Sequence, residues 1–202
     1  MKTFGILGST RKGGNTEFLL DRALEEASGF GSASRVVLRD KTIAPCDGCM
    51  GCASTGECVI PDDMQEVYEG IRAADAIIWA SPVYYWSVTG LAKTALDRTF
   101  ALNFPRLQQA GKIGGLILVA GIRGCMSAAN PFHMYFIYNH MFAAEFAWGY
   151  AGEKGSIQND ASAVNMSREM VRQMHALSQA NLKYPEEFDV PLHRLVREKY
   201  GA

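Results

Sequence analysis

The chain has 202 residues, and its 20 lysines and arginines nearly balance its 21 aspartates and glutamates, for a formal net charge of -1. Hydrophobic residues make up 48% and charged residues 20%, which excludes a disordered chain, since disorder requires low hydrophobicity and high net charge. The balanced charge argues against a nucleic-acid partner, because proteins that bind nucleic acids usually carry a basic patch.

Short apolar runs alternate with longer amphipathic segments along the chain. The predicted strands comprise residues 3–8, 35–39, 76–80, 115–120 and 147–150. The predicted helices comprise residues 16–28, 64–73, 89–100, 131–146 and 162–182. Strands that alternate with helices predict an α/β fold with a parallel sheet covered on both faces. Asn15 or Thr16 is expected to cap the first helix, because both residue types favour that position.

The chain is predicted to form one domain over residues 1–183, because this length suits a single core. Residues 184–202 are predicted to form a C-terminal arm, since Pro185 and Pro191 interrupt the pattern before a short amphipathic stretch. The arm is expected either to fray or to pack on a neighbouring subunit.

The loop after the first strand has the composition of an anion site. Ligands bind at the carboxyl ends of parallel strands, and here backbone N–H groups and a helix N-terminus would face the anion. The predicted ligands are Ser9, Thr10, Arg11, Gly14, Asn15 and Thr16. The spacing fits neither a Walker A loop nor the GxGxxG fingerprint, and a short loop with hydroxyls suits a terminal monophosphate such as that of FMN. An ordinary βα turn is the alternative.

Three consecutive aromatic residues, Tyr84, Tyr85 and Trp86, follow the third strand. They are expected to lie where a planar ligand such as a flavin stacks, or else to pack on a neighbouring subunit. After the fourth strand, Gly121 permits close backbone approach to a ligand, and Arg123 would hold the flavin's pyrimidine edge or a nicotinamide cofactor's phosphate. Cys125 beside them is expected to be a buried structural residue.

Four of the five cysteines lie in one short segment. No stretch approaches the roughly 18 apolar residues of a membrane span, and the first strand is too short for a signal peptide, so we expect a cytoplasmic protein without membrane contact. In that reducing compartment, clustered cysteines indicate metal or redox chemistry. Cys46, Cys49 and Cys52 form C-x2-C-x2-C, the tight spacing of ferredoxin ligands, and Cys58 would complete a 4Fe-4S cluster. Zinc, a redox disulfide and unbound thiols remain open.

The segment from residue 131 to residue 146 is apolar on nearly every face of a helix. Such a helix must be buried, which favours a partner subunit. His133 and His140 are expected on one face of it, where contacts at the interface explain them better than a metal does.

These features together resemble the NADPH-dependent FMN reductase superfamily, and within it the iron–sulfur flavoproteins. The resemblance rests on residues 8–16, 45–58, 62–64 and 82–84 in this order. It implies a flavodoxin-like three-layer sandwich with five parallel strands in the order 2-1-3-4-5, FMN at the carboxyl edge of the sheet, and a cysteine-rich loop at 45–60. It also implies a homodimer or homotetramer with that loop near the subunit interface.

The resemblance also implies roles for individual residues. Ser9, Arg11, Asn15 and Thr16 would hold the FMN phosphate. The isoalloxazine would be lined by Pro82, Val83, Tyr84 and Tyr85. Trp86 departs from the family pattern, because it is bulkier than expected beside a flavin and would narrow access for substrates. The cluster would be bound by Cys46, Cys49, Cys52 and Cys58.

We therefore expect an FMN-dependent oxidoreductase whose chemistry belongs to the flavin, so that no general acid or base is predicted. With a cluster, two-electron flavin chemistry would be split into single-electron steps toward or from a redox protein. Without one, the flavin would take a hydride from NADPH or NADH and reduce a quinone, a free flavin or another small acceptor. A flavodoxin-type electron carrier and a zinc-stabilised binding module are the alternatives.

Overall fold

The computed structural model describes residues 1–201. The strands are β1 (Thr3–Leu7), β2 (Ala33–Val37), β3 (Ala76–Tyr84), β4 (Ser87–Val88), β5 (Ile113–Ala120), β6 (Phe142–Ala143) and β7 (Ala147–Tyr150). The helices are α1 (Asn15–Ser28), α2 (Gly51–Thr55), α3 (Met64–Ala73), α4 (Gly90–Arg98), α5 (Cys125–Tyr138), α6 (Ala161–Gln179) and α7 (Leu192–Tyr200). None of the helices within residues 1–201 has the length and apolar character needed to span a membrane.

The sheet is parallel in the order β2-β1-β3-β5-β6, with β7 also paired to β5, so the predicted α/β fold is confirmed. It differs in detail from five simple strands. Two short strands, β6 and β7, pair with β5 along this edge. Phe142 of β6 pairs with Ile113, and Ala147 of β7 pairs with Ile117, so the edge advances five residues where β5 advances four. One extra residue in an edge strand is a bulge. In addition, β4 pairs antiparallel with the end of β3.

Two apolar cores cover the two faces of the sheet, because successive side chains of a strand point to opposite faces. Trp79 of β3 packs with Phe132 on the face covered by α3, α4 and α5. Its neighbour Ile78 belongs to the core on the other face, under α1 and α6. All residues of β1 and β5 are buried, as the continuous apolar runs in the sequence predicted.

The predicted helix at 131–146 is wrong at both ends. The helix α5 begins six residues earlier, at Cys125, and ends at Tyr138, after which His140 adopts a left-handed φ of 54°. Pro131 suggested a helix start, because proline favours the first turn, but it lies inside α5. His140 is therefore outside the helix and shares no helix face with His133.

Within the single chain this helix is buried on one face only, and its predicted burial by a partner subunit stays a prediction. One face of α5 packs on the sheet through residues such as Phe132 and Phe136. The other face exposes a set of large apolar side chains, namely Met126, Met134, Ile137 and Tyr138. Burial of Cys125 is confirmed, and it raises the pKa of that thiol to about 11, which makes the thiol unreactive.

The C-terminal arm packs on its own chain, which neither expectation for it anticipated. The Leu107 amide donates to the Asp189 carbonyl at 2.7 Å, and Arg194 Nη1 donates to the Pro105 carbonyl at 2.7 Å. Tyr184 stacks on His140 with ring centroids 4.4 Å apart.

Candidate functional site

A cleft of about 190 Å³ opens at the carboxyl ends of β1, β3, β5 and β7. We call it the edge cleft. It is lined by Ser9, Arg11, Gly14, Asn15, Thr16, Pro82, Val83, Tyr84, Val119, Ala120, Gly121, Ala151 and Gly152. Nine of these were predicted as cofactor residues from the sequence, and they come from the loop after β1 with the start of α1, the end of β3 and the residue that follows β5. Thr10, also predicted, lies beside the lining, with its hydroxyl 3.0 Å from that of Tyr84.

The loop after β1 is fixed where it begins. The Gly8 amide donates to the Ala80 carbonyl at 2.7 Å, and the Thr89 hydroxyl donates to the Gly8 carbonyl at 2.6 Å. Thr89 also caps α4 by accepting from the Ala92 amide at 3.1 Å. A Cβ on Gly8 would lie 2.6 Å from the Ala92 Cβ, so the close approach of this loop to α4 requires glycine.

The predicted capping of α1 by Asn15 or Thr16 is wrong, because the N-cap is Gly14. The Asn15 side chain instead bridges to the loop after β7: its Nδ2 donates to the Glu153 carbonyl at 2.7 Å, and its Oδ1 accepts from the Gly155 amide at 2.7 Å. Because Gly14 has no side chain with which to cap the helix, the first-turn amides of α1 keep their capacity to bind an anion in the cleft.

Glu17 holds the loop after β1 in place, a role that was not predicted from the sequence. Its Oε2 accepts from the Gly13 amide at 2.8 Å, and Arg39 donates to both carboxylate oxygens at 3.1 and 3.2 Å. Burial opposes ionisation of Glu17, but the bonds from Arg39 and Gly13 outweigh it and hold its pKa below the ordinary value. The paired carboxylate therefore positions the loop, and Arg39 offsets the repulsion that it would exert on an anion.

Tyr85 and Trp86 do not line the edge cleft. The strand β3 continues to Tyr84, which pairs with Ser87 across a two-residue hairpin turn. Both turn residues are left-handed, with φ of 48° and 68°, and Tyr85 is 98% exposed. Primed turns of this kind suit a hairpin but normally use glycine or asparagine. Arg123 is also outside the cleft lining, on an exposed turn with Ile122.

Four lining residues were not predicted, namely Val119, Ala120, Ala151 and Gly152. A signal was available for Ala151 and Gly152, because the rule that ligands lie beyond strand ends applies equally to the fifth predicted strand, which ends at Tyr150. Val119 and Ala120 lie within the predicted fourth strand and had no such signal.

The four clustered cysteines line a second, smaller pocket of about 60 Å³, here called the cysteine pocket. Its opposite wall includes Arg98, Phe100 and Ala101. Cys46 and Cys49 are exposed, whereas Cys52 and Cys58 are half-buried. The loop reverses at Met50, which has a left-handed φ of 58°, and the short helix α2 then carries Cys52 inward.

The arrangement of these thiols does not suit a single metal ion. Within residues 1–201, no three His, Cys, Asp or Glu side chains are placed to hold one ion. The thiols nevertheless affect one another: burial raises the pKa of Cys52, and the neighbouring Cys58, Cys46 and Cys49 raise it further. They are thus close together around a pocket but do not converge on a point.

Known proteins with similar sequences include several named as iron–sulfur flavoproteins. An iron–sulfur flavoprotein of Archaeoglobus fulgidus is 47% identical over 126 residues, which cover 60% of this chain and 56% of that protein. An iron–sulfur flavoprotein of Methanocaldococcus jannaschii is 35% identical over 144 residues, which cover 70% of this chain and 74% of that protein. The chain thus spans little more than half the length of the first of these relatives.

A solved structure and a family model complete the comparison. The crystal structure of RosB with bound 8-demethyl-8-formylriboflavin-5'-phosphate matches 89% of this chain and 79% of its own, with a TM-score of 0.75 and 18% identity. At that identity the likeness shows the fold alone, and it confirms the predicted flavodoxin-like fold. The family model of NADPH-dependent FMN reductases matches residues 1–154. This match shows that the chain belongs to the NADPH-dependent FMN reductase family.

Proposed function

We propose that the chain is an FMN-dependent oxidoreductase with its flavin in the edge cleft. The observation that carries the proposal is the meeting of nine residues, predicted from three separate segments, in one cleft at the carboxyl edge of the sheet. Membership of the FMN reductase family supports it. The cleft combines an anion-binding helix start with small and apolar side chains, as a ligand with a phosphate and a planar ring requires.

The residues of the cleft divide into two sets in this proposal. Arg11 and the first-turn amides of α1 neutralise the FMN phosphate, while Ser9 and Thr16 donate hydroxyl hydrogen bonds. Pro82, Val83 and Tyr84 line one side of the ring, and the backbone at 119–121 and 151–152 lines the other. When bound, FMN supplies hydride and electron transfer, so the chain's own contribution is position and electrostatics.

The electron donor in this proposal is NADPH or NADH, and the acceptor is a quinone, a flavin or a redox protein. The family name supports the nicotinamide donor. A flavodoxin-type carrier that turns over no substrate is the second candidate, supported by the flavodoxin-like fold. NADPH oxidation with a quinone acceptor separates the two, since the carrier would show none.

A 4Fe-4S cluster in the cysteine pocket is the further part of the proposal. The donor set fits such a group better than it fits one ion, because a cluster takes its four thiolates around its periphery. All four cysteines line one apolar pocket, and the buried Arg98 lines it with them. The relatives named as iron–sulfur flavoproteins support this assignment. An FMN reductase without a cluster is the alternative.

The proposed chain acts as a homodimer or homotetramer. The exposed apolar face of α5 supports this, because such a face is costly to leave in water. Sedimentation of wild type and of Ile137→Glu tests it. We expect a dimer or tetramer that the charged side chain weakens, whereas a wild-type monomer would contradict the proposal.

Flavin binding is tested by titrating the flavin-free protein with FMN. Replacing Arg11 by Ala removes a charge-assisted contact worth about 1.5–3 kcal/mol, so we expect roughly 10- to 100-fold weaker binding. Lys12→Ala is the matched control, since Lys12 is an exposed cation next in sequence that does not line the cleft. Equal losses in both variants, or no binding by wild type, would overturn the assignment of the cleft.

A further inference from the structure

Arg98 joins the two ends of the cysteine loop to α4. Its side chain is fully buried, and its Nη1 donates to the Ala44 carbonyl and to Asp62 Oδ2, both at 2.7 Å. Its Nη2 donates to Asp62 Oδ1 at 3.0 Å. Asp62 Oδ2 also accepts from the Ala44 amide at 2.8 Å. Ala44 precedes the first clustered cysteine and Asp62 follows the last, so one buried guanidinium anchors both ends of the loop.

The Nε of the same guanidinium is buried and has no hydrogen-bond partner among the described residues. An arginine stays protonated in proteins, so this N–H remains a donor that needs an acceptor. Buried polar groups nearly always find partners, and an exception points to a group that the protein alone does not supply.

The position of Arg98 indicates where that acceptor lies. Arg98 lines the cysteine pocket together with all four cysteines. The Tyr68 hydroxyl donates to the Arg98 carbonyl at 2.8 Å, which fixes this end of α4 beside the pocket. The sulfur atoms that line this pocket with Arg98 are therefore the acceptors to test, and they are negatively charged when they bind iron.

We propose that Arg98 donates its Nε–H to a sulfur of the 4Fe-4S cluster, a cysteine thiolate or a bridging sulfide, and thereby raises the reduction potential of the cluster. The inference rests on the proposed function, in which the four cysteines hold that cluster. A hydrogen bond to sulfur stabilises the reduced form more, because that form carries one more negative charge. Arg98 keeps its proton while one electron arrives from the reduced flavin or from a redox-protein donor.

The test uses the full chain, reconstituted anaerobically with iron, sulfide and FMN, and carrying Arg98→Lys. Lysine keeps the positive charge but lacks the guanidinium group and its Nε–H. We expect a stoichiometric cluster whose midpoint potential, followed by electron paramagnetic resonance, shifts to a lower value while that of the flavin is unchanged. Arg172→Lys, at an exposed position of α6, is the matched control and should leave both potentials unchanged. A fully loaded Arg98→Lys cluster with the wild-type potential would overturn the inference.

A second measurement needs no variant and covers the case in which Arg98→Lys fails to fold. Wild-type protein labelled with nitrogen-15 at arginine Nε is reduced, and the cluster is examined by pulsed electron paramagnetic resonance. We expect a nitrogen-15 coupling, since Arg98 is the arginine that lines the pocket within residues 1–201. A reduced cluster without that coupling would overturn the inference alone. If wild type takes up no iron, no cluster signal appears, and this result would overturn the cluster assignment as well.

Discussion

The edge cleft and the cysteine pocket are held in place by different means. The edge cleft is formed by strand ends whose backbones pair across the sheet. Its loops are held by hydrogen bonds that Asn15 and Thr89 donate and by one that Glu17 accepts. The cysteine pocket is formed by a loop outside the sheet that reverses at a left-handed Met50 and exposes two of its four thiols. Its ends are anchored by Arg98 and Asp62. The pairing of the strands thus positions the edge cleft, whereas the position of the cysteine pocket depends on one buried ion pair.

The largest predicted effect comes from breaking that ion pair. Asp62→Asn leaves the buried Arg98 charge without its ionised partner, so we expect the free energy of unfolding to fall by about 3–5 kcal/mol. Urea unfolding measures it, and iron uptake should fall with stability. Asp97→Asn is the control, because its exposed pair with Lys93 is worth at most about 1 kcal/mol. Similar losses in the two variants would contradict the anchoring role of Asp62.

A smaller effect is expected at the close approach of the first loop to α4. Gly8→Ala places a methyl group against Ala92, and overpacking of this kind costs about 1–3 kcal/mol. FMN affinity should fall with it, because the loop that starts at Gly8 moves. The double variant with Ala92→Gly should recover part of the loss. A single variant as stable as wild type would mean that the loop is not held as described.

Glu17→Gln weakens the charged hydrogen bonds that hold the loop after β1, so we expect the free energy of unfolding to fall by about 1 kcal/mol. The pKa of Glu17 is lowered in the folded protein, so its contribution is present above the unfolded value of 4.5 and is lost as pH falls through the lower folded value. The variant should therefore differ from wild type at neutral pH and approach it in acid. A difference in stability that grows toward acid pH would contradict this role.

The smallest effect, and a gain, is expected at the hairpin turn. Tyr85→Asn replaces an exposed side chain by a residue that tolerates a left-handed backbone, so stability should rise by about 0.5–1 kcal/mol. Thermal unfolding measures it, and FMN affinity should stay unchanged because Tyr85 lies outside the edge cleft. Weaker FMN binding in this variant would show that the turn reaches the flavin after all.

The sequence predicted the sheet and most of the edge cleft because both follow from local patterns. Continuous apolar runs mark buried strands, and loops after those strands meet at one edge. Contacts between residues far apart in the chain could not be predicted from local sequence patterns. Asn15 was expected to cap its own helix but bonds residues 153–155, and Arg98 pairs with Asp62 across 36 positions. The left-handed turn at Tyr85 and Trp86 was missed because neither residue favours that conformation.

The bounds of α5 failed for a similar reason. Pro131 is a local signal for a helix start, and the packing of Cys125, Ala128 and Ala129 against the core overrides it. The exposed face of α5 cannot be assigned from spacing in a segment that is apolar nearly throughout.

The proposal that one chain holds a flavin in the edge cleft and a cluster in the cysteine pocket can be tested by chemical analysis. The measurement is the flavin, iron and acid-labile sulfide content of protein purified and reconstituted without oxygen. We expect one FMN and about four irons and four sulfides per chain. FMN without iron would contradict the cluster and leave a simple FMN reductase, and the absence of both would contradict the assignment of both sites.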